Sequence, residues 1–323
     1  MISWMIYGAN GYTGELIARE ARRREMTPVL AGRDRAKVER LARELELPFR
    51  VFAFDDPKTL QDAIRDVGLV LNCAGPFSAT SAPLIEACLA VRAHYLDITG
   101  EIAALEHAHS LHGRATEAGV VLCPGVGFDV IPTDCVASAL KAAMPNATHL
   151  ALGFDSGSGL SPGTAKTAIE GLADGGRVRR DGRIVEVPLA WKSRRIDFGR
   201  GEKSAMTIPW GDVSTAYHST GIPNIEVYLP APERMIAMVR RTNRLRWLLG
   251  FGAVQRFLKR RVEKSIKGPD EAARSASPTF VWGEVTNALG QKKTARIVTA
   301  NGYALTVTGA LAVVEAALGG GHA

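Results

Sequence analysis

The chain has 323 residues, 46% of them hydrophobic and 23% charged, with a formal charge of +7. That length admits about two domains with ample core, and the balance of apolar to charged residues excludes a disordered or fibrous chain. No uncharged apolar run reaches the roughly 18 residues that a spanning helix needs, and no basic stretch precedes an apolar one at the N-terminus, so a cytoplasmic protein is expected. The four cysteines, Cys73, Cys88, Cys123 and Cys135, lack metal-ligand spacing. They are expected to be small buried residues outside any disulfide framework, and no metal site is predicted.

In chain order, the apolar run Ile2 to Tyr7 predicts a buried strand, and Leu16, Ile17 and Ala21 predict a helix from Tyr12 to Arg24. Between them lies Gly8-Ala9-Asn10-Gly11-Tyr12-Thr13-Gly14, a G-x-x-G-x-x-G variant of the dinucleotide fingerprint. Glycines let the backbone approach a diphosphate, and the helix N-terminus offers unpaired N–H groups with a positive dipole end. Gly8, Asn10, Gly11, Tyr12, Thr13 and Gly14 are therefore candidate cofactor contacts. Thr27 to Ala31 is the next predicted strand. A site for NAD carries Asp or Glu about 20 residues beyond the glycines, for the ribose hydroxyls; here Arg33 stands in that place. A guanidinium suits a 2′-phosphate, so the predicted cofactor is NADP(H), with Arg35 and Lys37 as outer charges and Asp34 as an opposing one.

Strand and helix patterns then alternate: helix Arg35 to Leu45, strand Phe49 to Phe54, helix Pro57 to Ile64 and strand Gly68 to Asn72. That strand empties into Cys73-Ala74-Gly75-Pro76-Phe77. In a doubly wound sheet this loop lies at the carboxyl edge, and its small residues would admit the nicotinamide half of the cofactor; the alternative is a Gly-Pro turn without a ligand. Ser81-Ala82-Pro83 predicts a helix start leading into Leu84 to Val91. His94 to Glu101 is a short strand opening into a polar loop. His107, His109 and His112 do not converge on one helical face, which argues against a metal. Gly119 to Leu122 is a further predicted strand, followed by Pro124 to Asp134.

The motifs GANGYTG, AGR, NCAGPF, HYLDITGE and CPGVGFDVIPTD, in this order, resemble those of the saccharopine dehydrogenase-like oxidoreductases, a group that includes the trans-acting enoyl reductases. The resemblance is firm over the first 135 or so residues and patchier beyond. There Ser161-Pro162-Gly163-Thr164 stands in place of a glycine pair and threonine, and Gly302, Tyr303 and Thr306 resemble the start of the final helix. It implies a Rossmann-type doubly wound parallel sheet, residues 1–130 with 302–323, and a second α/β (α+β) domain, 131–301, inserted before the C-terminal helix. NADP(H) use is implied as well.

In the second domain His149 to Phe154 is strand-like, Thr164 to Ala173 is helical, and Asp181-Gly182 signals a hairpin between Val178 and Ile184-Val185. Ile208 to Pro223 is rich in groups that orient ligands. Phe280 to Val285 and Thr294 to Ala300 pair across Leu289-Gly290-Gln291. A sheet packed by helices on one face, serving substrate and homodimer contacts, is expected. Tyr303 to Leu318 is expected to cover the Rossmann sheet. Residues 234–267 hold eleven Lys or Arg against one acid, a net of +10 that leaves the rest of the chain at −3. Interleaved apolar residues give this segment the composition of a basic amphipathic helix pair, either a solvated arm packed on its own domain or twin, or a peripheral membrane contact. Nucleic acid is not an expected partner, because no nucleic-acid-binding module accompanies the charge.

Chemistry requires a hydride path and a proton donor. No tyrosine is followed four residues later by lysine, so the short-chain dehydrogenase pair is missing. The candidates are Asp129, Tyr217, His218 and Lys166, with helix capping as the alternative for Asp129 and structural packing for the others. Two functions follow: an NADP(H)-dependent reductase of a C=C, C=N or C=O bond in a small hydrophobic or amphiphilic molecule, enoyl-reductase-like by resemblance; or an NADPH-binding sensor or membrane-associated adaptor without catalysis.

Overall fold

The computed structural model describes residues 3–157, 171, 175–245, 251–252, 254–256 and 277–319. The chain divides into two compact units, one of Met1–Phe128 with Tyr303–Ala323 and one of Asp129–Gly302.

The first unit alternates strand and helix: β1 (Trp4–Tyr7), α1 (Tyr12–Arg23), β2 (Val29–Gly32), α2 (Arg35–Leu45), β3 (Phe49–Val51), α3 (Pro57–Ile64), β4 (Leu69–Asn72), α4 (Phe77–Val91), β5 (His94–Asp97), α5 (Ile102–Ser110), α6 (His112–Ala118) and β6 (Leu122–Cys123). The six strands form one parallel sheet in the order β3-β2-β1-β4-β5-β6. Both faces are covered, which is why the strands read as continuous apolar runs. Alternate residues take opposite sides. Trp4, Ile6, Leu30, Leu69 and Leu71 pack with Ile17, Ala21, Val38 and Leu41 of α1 and α2. Met5, Tyr7, Ala31, Val70 and Tyr95 pack with Leu60, Ile64, Leu84, Ile85 and Cys88 of α3 and α4. The last helix, α10 (Gly302–Leu318), returns to the first of these layers through Val307, Ala310, Leu311, Val314 and Ala317.

Several elements differ from the sequence expectation. The third strand stops at Val51, because Phe52 and Phe54 turn onto the Tyr7 ring, with centroids 5.0 and 4.7 Å away. The sixth starts at Leu122 rather than Gly119, whose φ of +68° caps α6. α4 begins at Phe77, so Pro83 lies inside it and the start expected at Ser81 is wrong. Cys135 is exposed, against the expected burial.

The second unit contains α7 (Ile131–Ala143), β7 (Ala147–Ser156), β8 (Gly176–Arg180), β9 (Arg183–Val187), β10 (Ser193–Asp197), β11 (Glu202–Ile208), α8 (Asp212–Thr220), β12 (Asn224–Pro230), α9 (Glu233–Thr242), β13 (Thr279–Asn287) and β14 (Lys292–Thr299). Its mixed sheet runs β10-β11-β12-β7-β13-β14, with β8 joining β12 and β9. The β8–β9 hairpin turns at Asp181 and Gly182, both at positive φ, and pairs Val178 with Val185. β13 and β14 pair from Thr279 with Thr299. α7 covers the sheet closely at Gly283, where a Cβ would come within 2.6 Å of Val136 and 2.8 Å of Leu140. The other face gathers Ile196, Phe198, Tyr228 and Trp282. Among the described residues no helix is long and apolar enough to cross a membrane.

Candidate functional site

In the first unit the chain runs outward from β1 to β3 and then crosses back to place β4 on the other side of β1. The carboxyl ends of β1 and β4 therefore flank the switch point, where open α/β sheets bind their ligands. The loops after them touch: a Cβ on Gly8, whose φ is +80°, would lie 2.8 Å from the Ala74 nitrogen. Gly8 and Ala9 N–H donate to the Ala31 carbonyl at 2.8 and 3.1 Å, and Gly11 N–H donates to the Gly8 carbonyl at 3.0 Å. The loop then enters α1 at an extended Gly11 with no side-chain cap. The first amides of α1, from Tyr12, Thr13 and Gly14, are those a helix leaves without an intrahelical acceptor. A Cβ on Gly14 would collide with the Gly8 carbonyl, so this glycine sets how closely helix and turn approach.

Gly32, at the end of β2, leaves room for Asn10, whose Oδ1 lies 2.7 Å from where a Cβ would stand. Arg33 follows at once and is exposed. It has no hydrogen-bond or ion-pair partner among the described residues, and its charge reaches back to the end of β1. Burial pushes the Tyr7 phenol up to about 12, with Arg33 opposing and Asp55 reinforcing. Asp34 is engaged within its own helix. It caps α2, accepting from Lys37 N–H at 3.2 Å, and its pairing with the Lys37 ammonium at 3.3 Å also occupies that cation.

The Ala74-Gly75-Pro76-Phe77 loop, with a cis Gly75–Pro76 bond, is held from both sides. Ala74 N–H donates to Asn72 Oδ1 at 3.0 Å, and the Ala74 carbonyl accepts from Thr80 Oγ1 at 2.7 Å. Phe77 and Ser78 N–H donate to the two carboxylate oxygens of Glu101 at 2.8 and 2.7 Å, which explains the early start of α4. Beneath them is a fully buried chain. Asn72 Nδ2 donates to Tyr95 Oη at 3.2 Å, Tyr95 donates to Asp97 Oδ2 at 2.7 Å, and Asp97 Oδ1 accepts from Thr99 and Gly125 N–H, both at 2.9 Å. Burial outweighs those bonds and raises Asp97 to about 6. Sequence reasoning passed over Asp97, Glu101 and Asn72. The polar end of HYLDITGE, straight after a buried strand, was the available signal.

Tyr12 turns its ring edge-on to Tyr303, with centroids 5.0 Å apart.

The proton-donor candidates lie in the second unit. Asp129 does not cap α7, whose N-cap is Val130 with no side-chain bond. Burial pushes its carboxyl up to about 7. Tyr217 lies under Arg179, whose guanidinium carbon is 4.2 Å from the ring centroid, and packs toward the hairpin turn at Gly182. His218 is exposed, edge-on to Tyr217 at 5.5 Å. Lys166 and the Ser161-Pro162-Gly163-Thr164 turn lie outside the described residues.

The sequence reading missed Asp212, at the start of α8. It is fully buried. Burial raises its carboxyl well above the usual range, and the charges of Asp134 and Asp129 add to the shift. The Thr133 hydroxyl, the group that counters this, donates instead to the Val130 carbonyl at 3.0 Å. Among the described residues neither Asp212 oxygen, nor Trp210 Nε1 nor Thr215 Oγ1, has a hydrogen-bond partner.

A parallel 3-2-1-4-5-6 sheet with a glycine turn against a helix N-terminus at its switch point defines a Rossmann dinucleotide-binding domain. Residues 4–123 match the family model described as the saccharopine dehydrogenase NADP binding domain. That match lies within the first unit, which is similar to the NADP-binding domain the model describes.

A saccharopine dehydrogenase-like oxidoreductase of Rattus norvegicus is 32% identical over 203 residues, 54% of this chain and 47% of the relative. A Mycobacterium tuberculosis protein named for trans-acting enoyl reductase activity is 31% identical over 147 residues, 43% of this chain and 35% of its own. The chain thus spans about half or less of the length of these curated relatives. Among solved structures, the Saccharomyces cerevisiae saccharopine dehydrogenase (L-Glu forming) superposes with a TM-score of 0.64 at 11% identity, over 99% of this chain and 92% of that one, a likeness of fold.

Proposed function

We propose that this protein is an NADP(H)-dependent oxidoreductase that reduces a C=C, C=N or C=O bond of a small, hydrophobic or amphiphilic substrate. The observation that carries the reading is the Gly8–Gly14 turn facing the Ala74 loop, with an exposed Arg33, unpaired among the described residues, one residue past β2 where an NAD site would hold a carboxylate. The uncapped first turn of α1 would seat the diphosphate, Arg33 the 2′-phosphate, and the loop from Ala74 to Phe77 the nicotinamide half. The bound nucleotide supplies the hydride. The chain supplies the proton, with Asp129, Tyr217, His218 and Lys166 as donors to be tested. Asp129 is the best suited by acidity, since a carboxyl near 7 gives and takes protons at neutral pH. The names of the curated relatives support the oxidoreductase class. We assign substrate and homodimer contacts to the second unit, where the edge strand β14 exposes Ile297 and Val298.

Mixing the protein with NADPH and a panel of enals, imines and ketones, while following the absorbance of the reduced nucleotide, tests the reading. Oxidation that depends on one acceptor class supports it. Tight NADPH binding with no turnover across the panel would favour a nucleotide-binding sensor or adaptor.

A further inference from the structure

Helix α9 turns two unlike faces to its surroundings. At 100° per residue, Ile236, Val239, Arg240 and Asn243 fall on one side. Ile236 is buried against Ala190 and Ala231, with Val239 packed beside them. Arg240 donates to the Ala190 carbonyl and to Ser193 Oγ, both at 2.9 Å. Asn243 donates to the Leu189 carbonyl at 3.0 Å and accepts from Leu189 N–H at 2.8 Å. Four anchors against one turn fix which side faces out.

The outward side carries Met238 between Arg234 and Arg241, with Met235 at its border. Met235 is 46% exposed and Met238 59%, two of the six exposed large hydrophobics among the described residues. Arg234, Arg241 and Arg244 are exposed, and none is paired among the described residues. The turn on which the helix rests holds Trp191, flanked by the Arg180 guanidinium at 4.1 Å and by the Lys192 ammonium at 4.5 Å from its ring centroid, the latter also paired with Glu226. In sequence the same character continues, with one acid among residues 234–267.

An ordinary solvated helix face mixes cations with acids; this one mixes cations with apolar side chains. Nucleic acid would satisfy the arginines and leave the methionines in water. A layer of anionic lipid headgroups satisfies both, taking guanidinium groups on its phosphates and unbranched thioether chains at its acyl boundary. We infer that α9 docks this protein on an anionic lipid surface, with Met235 and Met238 entering the headgroup layer and Arg234, Arg241 and Arg244 on the lipid phosphates. The inference stands apart from the nucleotide reading.

Flotation of the full chain with vesicles tests it. The protein is expected to float with phosphatidylcholine vesicles containing phosphatidylglycerol, to stay behind with phosphatidylcholine alone, and to be released by salt. The pair Met235→Ser/Met238→Ser and the pair Arg234→Ser/Arg241→Ser should each lower the bound fraction about tenfold with an unchanged melting curve, whereas Leu289→Ser, exposed on another turn, should leave it as it was. A wild-type protein that ignores anionic vesicles would overturn the inference. So would a methionine pair that floats as well as wild type, or stripping from vesicles by duplex DNA with no sensitivity to the methionines, which would identify a general polyanion site.

Discussion

Gly11 and Gly14 sit three residues apart and answer to different demands. A Cβ on Gly11 would meet only the Gly8 carbonyl, at 3.2 Å, whereas one on Gly14 would collide with that carbonyl and lie 3.0 Å from the Ala9 Cα. Gly11→Val is therefore expected to fold with a near-normal melting curve and to lose NADPH binding, because its side chain fills the approach to the helix N-terminus. Gly14→Val should fail to fold, since the atoms it strikes are backbone. A fluorescence titration in which Gly11→Val binds NADPH like wild type would remove the turn from the phosphate. Arg33 tests the other end of the nucleotide. Arg33→Ala removes a charge-assisted contact worth about 1.5–3 kcal/mol, so NADPH should bind roughly ten- to a hundredfold more weakly while NADH is unaffected. Equal losses for both nucleotides would mean that the arginine does not read the 2′-phosphate.

At the scale of elements, the first unit was largely legible because strands buried on both faces leave unbroken apolar runs and its helices show one clear stripe. The start of α4 was not. Its cap is the carboxylate of Glu101, 24 residues further on, and no local signal announces it, while Pro83 suggests a first turn that is really the second. The glycine turn after β1 was visible in its residues, but the contact between Asn10 and Gly32, and the chain from Asn72 through Tyr95 to Asp97, exist only once neighbouring strands are in register. Asp212 was hidden for a similar reason: an aspartate opening a helix usually meets water, and only the packing of α7 against α8 buries it. Glu101 gives this scale its prediction. Glu101→Ala leaves the Phe77 and Ser78 amides without acceptors and should cost about 1–3 kcal/mol, read as a lower denaturation midpoint and faster hydrogen exchange at those two amides. Glu101→Gln, which keeps one acceptor oxygen, should recover part of the loss. Unchanged exchange in Glu101→Ala would show that the cap does not hold the loop.

Across the whole molecule, buried acids set the response to pH. Asp97 in the first unit stands at about 6, Asp129 in the second at about 7, and Asp134 and Asp212 are also raised by burial. Each binds its proton more tightly folded than unfolded. The stability each contributes is complete below the unfolded value near 4 and is lost as pH rises through the folded value. For Asp97 the two-unit shift corresponds to roughly 3 kcal/mol lost by pH 8. Acids held low by arginines, such as Glu20 at about 2 beside Arg23, act the other way, but only as pH falls below about 4. Their exposed arginine partners make them weak contributors. Stability should therefore decline from pH 5 to pH 8. Asp212 isolates the effect, because a protonated carboxyl and a carboxamide have nearly the same shape. Asp212→Asn should match wild type in denaturant unfolding at about pH 4 and exceed it at pH 8, where wild type must either ionise a buried carboxyl or hold its proton against the solution. A variant less stable at both pH values would mean that the carboxylate is charged and matched by a cation, and the sign of the pH response in the second unit would reverse.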